Sequence, residues 1–149
     1  MIFQNPDFCY NGCYKPFQGI LDMMTLYVDA ARNVHTGQSA VGAVLIVNKH
    51  QQQLKNDLPQ SADNHEAEFM GLIWGIKQLP MIDNLQIYTD SKIVADAIQK
   101  KYAKHYQSYV DRIISLLSEF PLVLISWIPE KQNHGAHQLA MQALKKTNR

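Results

Sequence analysis

The fold of this chain is constrained most by the order of its strand-like and helix-like patterns of apolar residues. Three strand-like runs come first, at residues 25–30, 40–47 and 51–54. The second run is almost continuously apolar, which indicates a buried strand, and the third is more polar, as expected at a sheet edge. The chain therefore begins with consecutive strands before any helix is predicted.

After the third strand, apolar residues recur at helical spacing instead of strand spacing. Asp63 and Glu66 form a capping-box pattern, and apolar residues at helical spacing follow until Pro80 ends the predicted helix. Residues 85–89 read as the next strand, and Ser91 opens another predicted helix.

The last third of the chain continues this alternation. A helix is predicted over residues 106–119, an apolar strand over 121–127 and a closing helix over 136–145. Five strands interleaved with helices in this order predict an α/β domain, with a mixed five-stranded sheet covered by helices.

Composition agrees with a single domain. The chain has 149 residues, of which 46% are apolar, and its formal net charge is +1. It is long enough to bury a core, and the charge neither requires nor excludes a nucleic-acid partner. We found no apolar run of membrane-spanning length and no signal-peptide pattern, so the sequence predicts a cytoplasmic protein with no membrane partner.

The first 23 residues differ in character, because Pro and Gly interrupt any steady period there. We predict an N-terminal extension over residues 1–23 and one domain over 24–149. The extension contains both cysteines, Cys9 and Cys13, which are too few for a four-ligand zinc site and are predicted to be reduced thiols.

Three acids are placed where a strand is predicted to end or a helix to begin: Asp29, Glu68 and Asp90. Carboxylates are the hard oxygen ligands that divalent cations prefer, and two such cations can drive phosphodiester hydrolysis. Each acid taken alone has a simpler explanation: Asp29 in a turn, Glu68 as a first-turn acid favoured by the helix dipole, and Asp90 as a helix cap.

Four stretches occur together and in a fixed order: DAA at Asp29, AEF at Glu68, YTDS at Asp90 and WIPEKQN before the last helix. Together they resemble the ribonuclease HI family over most of residues 24–149. The resemblance implies a ribonuclease H-like sheet with three antiparallel strands followed by two parallel ones. It also implies an endoribonuclease that hydrolyses the RNA strand of RNA–DNA hybrids with two Mg²⁺ or Mn²⁺ ions. Asp29 would bridge both ions, and Glu68 and Asp90 would complete the ion nearer the leaving group.

One position departs from the family. The family motif Asn-x-x-Ala-Asp ends here in His137, which by resemblance would serve the ion that carries the attacking water. An imidazole removes one negative charge and one oxygen, which favours Mn²⁺ over Mg²⁺. The alternative is a decayed metal site, which would leave a catalytically silent module that binds hybrids or single strands.

The resemblance also suggests contacts to the substrate. Asn64 matches the position that reads 2′-hydroxyls, although it can equally be a helix cap, and Ser91 can bond to backbone oxygens. Four lysines form a predicted basic stretch for the phosphates of the DNA strand, with a solvated helix face as the competing explanation: Lys92, Lys100, Lys101 and Lys104.

Two loop features complete the comparison with the family. The glycine-proline turn that is frequent after the first acid is replaced here by Asn33, Val34 and His35, which removes support for backbone contacts from that turn. His134 corresponds to a loop histidine that assists product release, and a solvent-exposed histidine without a role is the alternative.

Overall fold

The structure, a computed structural model, describes residues 23–147. The predicted extension lies outside this range except for Met23, and so do both cysteines. Within residues 23–147, no helix combines the length and the apolar character needed to cross a lipid bilayer.

Five strands form one sheet, covered by helices on both faces. In chain order the elements are β1 (Met24–Arg32), β2 (Ser39–Val47), β3 (His50–Leu58), α1 (Asn64–Lys77), β4 (Leu85–Thr89), α2 (Lys92–Lys100), α3 (Gln107–Leu117), β5 (Val123–Trp127), a 3₁₀ turn (Glu130–Gln132) and α4 (His134–Thr147). The spatial order is β3-β2-β1-β4-β5, in which β1 to β3 pair antiparallel and β4 and β5 join in parallel. The predicted fold class is confirmed.

Some predicted boundaries were wrong. Asp29 does not end its strand, because β1 continues to Arg32 and Asp29 pairs with Gly42 of β2. The edge strand β3 runs to Leu58 instead of ending at residue 54. Alternation of apolar residues did not reveal these extensions, since both contain polar residues that still take part in the backbone ladder.

The two faces of the sheet pack against different partners. Leu26 and Val28 of β1 lie in the large apolar core with Phe69 of α1 and Ile87 of β4. The opposite face packs on α4 through a smaller cluster of mostly small side chains: Ala31, Ala40, Ala140, Ala143 and Leu144. Small residues let α4 lie close to the sheet, so the face that carries Asp29 is in direct contact with that helix.

The backbone of α4 approaches the sheet closely at Gly42. A Cβ atom built at Gly42 would overlap the carbonyl oxygen of Ala136 and the amide nitrogen of Ala140, and would lie 2.7 Å from the Cβ of Leu139. The missing side chain therefore fixes how near α4 comes to Asp29, the residue that Gly42 faces across the ladder.

We expect Gly42→Ala to lower the free energy of unfolding by about 1–3 kcal/mol, because backbone atoms of α4 must move to admit the methyl group. Chemical denaturation measures this change. The matched control is Gly75→Ala in α1, where the new Cβ would make ordinary contacts of 3.4 Å or more. An equal or smaller loss at Gly42 than at Gly75 would contradict the close packing of α4.

Candidate active site

The site lies where the parallel strands β1 and β4 run side by side. Val28 pairs with Thr89, so Asp29 and Asp90 occupy equivalent next positions on neighbouring strands. His137, one turn into α4, contacts Asp29 at the same edge. The fold thus brings together Asp29, Asp90 and His137, and Glu68 lies beside them through its bond to Ser91.

Asp29 is the most enclosed of the acids, with 9% of the residue exposed. Its Oδ2 lies 2.9 Å from Nδ1 of His137, and its Oδ1 accepts a hydrogen bond from the amide of Ala30 at 2.9 Å. Burial, together with the charge of Asp90, raises the pKa of Asp29 to about 7, although the bonds from His137 and Ala30 act in the opposite direction. The carboxyl group is therefore held by an imidazole in a poorly solvated position.

Asp90 shares hydrogen bonding with Asp29. Partial burial raises its pKa, a hydrogen bond from the Asp29 carboxyl group lowers it, and the charge of Glu130 raises it again. The indole Nε1 of Trp127 donates to the backbone carbonyl of Asp90 at 3.1 Å, which ties the end of β5 to this turn. Because burial and nearby negative charge both raise the pKa values of these two neighbouring carboxyl groups, a cation beside them would favour their ionised forms.

Glu68 reaches the site from the second turn of α1. Its Oε1 accepts a hydrogen bond from the Ser91 hydroxyl at 3.0 Å and lies 3.3 Å from Nδ1 of His65. Burial raises the pKa of Glu68, and the bonds from His65 and Ser91 partly offset this rise. The carboxylate is thus oriented by two neighbours.

Ser91 is buried and caps α2 through a bond from the amide of Val94 to its Oγ at 3.3 Å. Its hydroxyl proton is already donated to Glu68. The predicted contact between Ser91 and the nucleic-acid backbone stays a prediction, and the structure gives the hydroxyl a different task, which is to orient Glu68.

The side chains of this site are suitable ligands for a divalent cation, but they do not form a closed coordination shell. Within residues 23–147, no three His, Cys, Asp or Glu side chains are grouped closely enough to form a ready-made metal site. Asp29 is instead paired with His137, and Glu68 with Ser91 and His65. Three carboxylates with raised pKa values and one imidazole are nevertheless donors that such cations accept, and a cation would relieve their repulsion.

Asn64 is exposed as the first residue of α1, next to the turn that precedes Glu68. The cap of this helix is Asp63, which accepts a bond from the amide of Glu66 at 2.8 Å, so the reading of Asn64 as a cap was wrong. Asp63 also accepts a bond from the Tyr106 hydroxyl at 2.8 Å, which links the start of α1 to the start of α3.

The remaining predicted contacts lie on the surface. The four lysines of the basic stretch are exposed on α2 and in the loop after it, and Lys101 ends the helix in the left-handed region with φ of 60°. An open groove of about 320 Å³ lies beside them, and its lining includes Lys100, Lys104 and His105. His134 is exposed and begins α4, so it belongs to a helix instead of the predicted loop.

Sequence reasoning assigned no structural role to two residues that position β1, Asn133 and Arg32. Asn133 is 1% exposed, and its Nδ2 donates to the carbonyl of Val28 at 2.9 Å, directly before Asp29. Arg32 donates to the carbonyl oxygens of Ser61 and Ala62, each at 3.0 Å, and so ties β1 to the segment that leads into α1. Asn133 begins the Asn-x-x-Ala motif noted in the sequence, but the motif did not reveal its contact with β1, and nothing local marked Arg32.

Sheet order and acid placement together define a ribonuclease H-like α/β domain. The solved structure of RNase H1 from Halobacterium salinarum NRC-1 superposes with a TM-score of 0.76 at 24% identity, covering 83% of this chain and 98% of that one. LC11-RNase H1, solved in complex with RNA/DNA hybrid, superposes with a TM-score of 0.71 at 18% identity, covering 85% of this chain and 99% of that one.

Sequence comparison gives the family. A model of the reverse transcriptase-like family matches residues 27–143. The "Putative hydrolase EbsB" of Enterococcus faecalis is 44% identical over 130 residues, covering 83% of this chain and 96% of its own length. A ribonuclease H of Desulforamulus reducens is 26% identical over 147 residues, covering 86% and 91%. The chain belongs to the ribonuclease H family of hydrolases, whose members generally use divalent metal ions.

Proposed function

We propose that this protein hydrolyses the RNA strand of RNA–DNA hybrids with two divalent cations, Mg²⁺ or Mn²⁺. The observation that supports it best is the convergence of Asp29, Asp90 and His137 at one sheet edge in a member of this family, with Glu68 held beside them. Relatives named as ribonucleases H and a relative bound to an RNA/DNA hybrid support the choice of substrate.

Asp29, Glu68, Asp90 and His137 would hold the cations. When bound, the cations would supply an activated water and neutralise charge on the phosphate oxygens. The chain's own part is to present the carboxylates without strain. Ser91 orients Glu68 through its hydroxyl, Trp127 fixes the turn at Asp90, and the amide of Ala30 orients Asp29. His137 would keep Nδ1 bonded to Asp29 Oδ2 and would offer its other ring nitrogen, Nε2, to the cation.

The substrate would lie across the same edge. Asn64 is exposed beside Glu68 and would read 2′-hydroxyls of the RNA strand, and the four lysines of the basic stretch would contact phosphates of the DNA strand. His134, exposed at the start of α4, would assist product release.

A second candidate function follows from the Asp29–His137 contact. If the imidazole keeps the carboxylate from the cation, the chain is a catalytically silent module that binds hybrids or single strands. Cleavage of an end-labelled hybrid in Mg²⁺ and in Mn²⁺ separates the two functions. We expect internal cleavage of the RNA strand in Mn²⁺ and weaker cleavage in Mg²⁺. Binding without cleavage in either ion would favour the silent module.

Replacing Lys100, Lys101 and Lys104 together by Ala should weaken hybrid binding and reduce the log–log salt slope by up to ~3, about one for each phosphate that a lysine no longer neutralises. Affinity measured across a salt series tests this expectation. The matched control replaces Lys49, Lys77 and Lys145, which are exposed elsewhere and give the same change in net charge. Equal slopes for the two triple variants would make the basic stretch an ordinary solvated surface.

A further inference from the structure

The start of α1 is held by two tyrosines at the start of α3. Asp63 caps α1 with its Oδ1, and its Oδ2 accepts a hydrogen bond from the Tyr106 hydroxyl at 2.8 Å. Glu66 is bonded in the same way, because its Oε1 accepts from the amide of Ala62 and its Oε2 from the Tyr109 hydroxyl, each at 2.7 Å. Each acid of this capping box thus uses one oxygen for the backbone and the other for a tyrosine.

The rings of the two tyrosines have one contact in common and differ in another. Both stack on Phe69, at centroid distances of 5.2 Å for Tyr106 and 6.0 Å for Tyr109. Within the described residues, His65 is an edge-on neighbour of Tyr106, at 6.2 Å, but not of Tyr109. His65 in turn places its Nδ1 3.3 Å from Oε1 of Glu68. Tyr106 is therefore connected to the acid site through one intermediate side chain.

His65 needs a neighbour to keep this orientation, because its side chain is 44% exposed. A side chain on a helix surface occupies several rotamers unless a contact selects one. The Tyr106 ring is itself fixed, since Phe69 stacks on its face and Asp63 holds its hydroxyl. Its edge-on contact with the imidazole therefore favours the rotamer in which Nδ1 faces Glu68.

We propose that Tyr106 is a positioning residue for the cation site, which acts by holding His65 and thereby the carboxylate of Glu68. The inference rests on the proposed function, because it assumes that Glu68 is a cation ligand. Ser91 bonds to the same oxygen of Glu68 from the start of α2, so His65 supplies a second constraint on this carboxylate from another direction along the chain. Removing a group that orients a metal ligand typically costs roughly 10–100-fold in metal affinity or activity.

Tyr106→Leu should weaken the affinity for Mn²⁺ by about 10-fold, as measured by calorimetric titration of the folded protein without nucleic acid. Tyr109→Leu is the matched control, because it also removes a ring from Phe69 and a hydroxyl from the capping box but leaves the neighbour of His65 in place. Its Tm should fall by a similar amount, while its Mn²⁺ affinity should stay near that of the wild type. Equal losses of Mn²⁺ affinity in the two variants would overturn the proposal.

His65 gives a test that does not depend on how well position 106 tolerates a smaller side chain. Its side chain is nearly half exposed, so His65→Ala should fold as the wild type does and should also weaken Mn²⁺ binding by about 10-fold. In the His65→Ala background, Tyr106→Leu should weaken binding no further, because the two residues act in series. A His65→Ala protein with wild-type affinity, or losses that add in the double variant, would contradict the proposal.

Hybrid cleavage separates failure of this inference from failure of the proposed function. Tyr106→Leu should lower kcat by about 10-fold and change KM little, because Glu68 acts on the cation and not on the hybrid. Tyr106→Phe, which keeps the ring beside His65, should retain most of the activity, and a loss equal to that of Tyr106→Leu would overturn the route through His65. If the wild type binds Mn²⁺ and cleaves while Tyr106→Leu does both equally well, only this inference fails. If the wild type neither binds Mn²⁺ nor cleaves, the proposed function fails with it.

Discussion

Asp29→Asn should lower the rate of hybrid cleavage by at least ~1,000-fold and leave the fold intact. The acid lies at the centre of the site, in contact with His137 and Asp90, so an amide there removes charge from every cation position. Cation catalysis supplies several kcal/mol of stabilisation, and each 1.36 kcal/mol corresponds to about 10-fold in rate. Asp90→Asn should act in the same direction. Single-turnover cleavage in Mn²⁺ measures both, and rates near the wild type in either variant would refute the assigned site.

The same variant should not lose stability, and the sign follows from the pKa. Folding raises the pKa of Asp29 from 3.8 to about 7, so the folded state retains a proton that the unfolded state releases. The stabilisation is complete below about pH 4 and is lost as the pH rises through about 7. Without divalent cations at pH 8, Asp29→Asn should therefore have a Tm equal to or above that of the wild type.

Thermal unfolding in chelator at pH 5 and pH 8 measures this difference. The advantage of Asp29→Asn should be larger at pH 8, and adding Mn²⁺ at pH 8 should raise the Tm of the wild type more than that of the variant. Glu119→Gln, which removes an exposed acid elsewhere, should show neither effect. A large loss of Tm in Asp29→Asn at pH 8 would mean that its bond to His137 stabilises the fold more than the buried charge opposes it.

Sequence reasoning recovered the architecture because the signals for it are local. The apolar run of β2, the stop at Pro80 and the strand at residues 85–89 are each readable within a few neighbours, and the structure places β4 at Leu85–Thr89. The order of these elements then limits the topology. Boundaries were less accessible, because Asp29 belongs to the middle of a strand only through its pairing with Gly42.

The internal contacts of the site were not predictable, because they join residues that are distant along the chain. The bond between His137 and Asp29 depends on how closely α4 approaches the sheet, and Gly42 sets that distance. Similarly, the hydrogen bond from the Ser91 hydroxyl to Glu68 joins residues 23 positions apart and could not be read from the motifs. Sequence motifs identify the site residues, but only the packing of the elements determines which of their atoms already form hydrogen bonds.

His137 is the residue on which the activity of this chain turns. Its Nδ1 bonds to Asp29, which leaves Nε2 as the ring nitrogen that would meet a cation. An aspartate at position 137 could not donate to Asp29 in its ionised form. It would repel Asp29 and so favour occupation by a cation that neutralises both.

His137→Asp should therefore raise Mg²⁺-supported cleavage by about 10–100-fold, the range by which such ligand-shell changes alter metal sites, because it restores one charge and one hard oxygen. His137→Ala should lower Mn²⁺-supported cleavage if the ring is a ligand and leave it unchanged if it is not. His50→Ala is the matched control, since His50 is an exposed histidine on the edge strand β3 and has no assigned role in the site. Initial rates in each ion, measured at saturating hybrid, give the comparison. No gain in the Asp variant, together with a wild type that is inactive in both ions, would identify the chain as a binding module that kept the ribonuclease H fold.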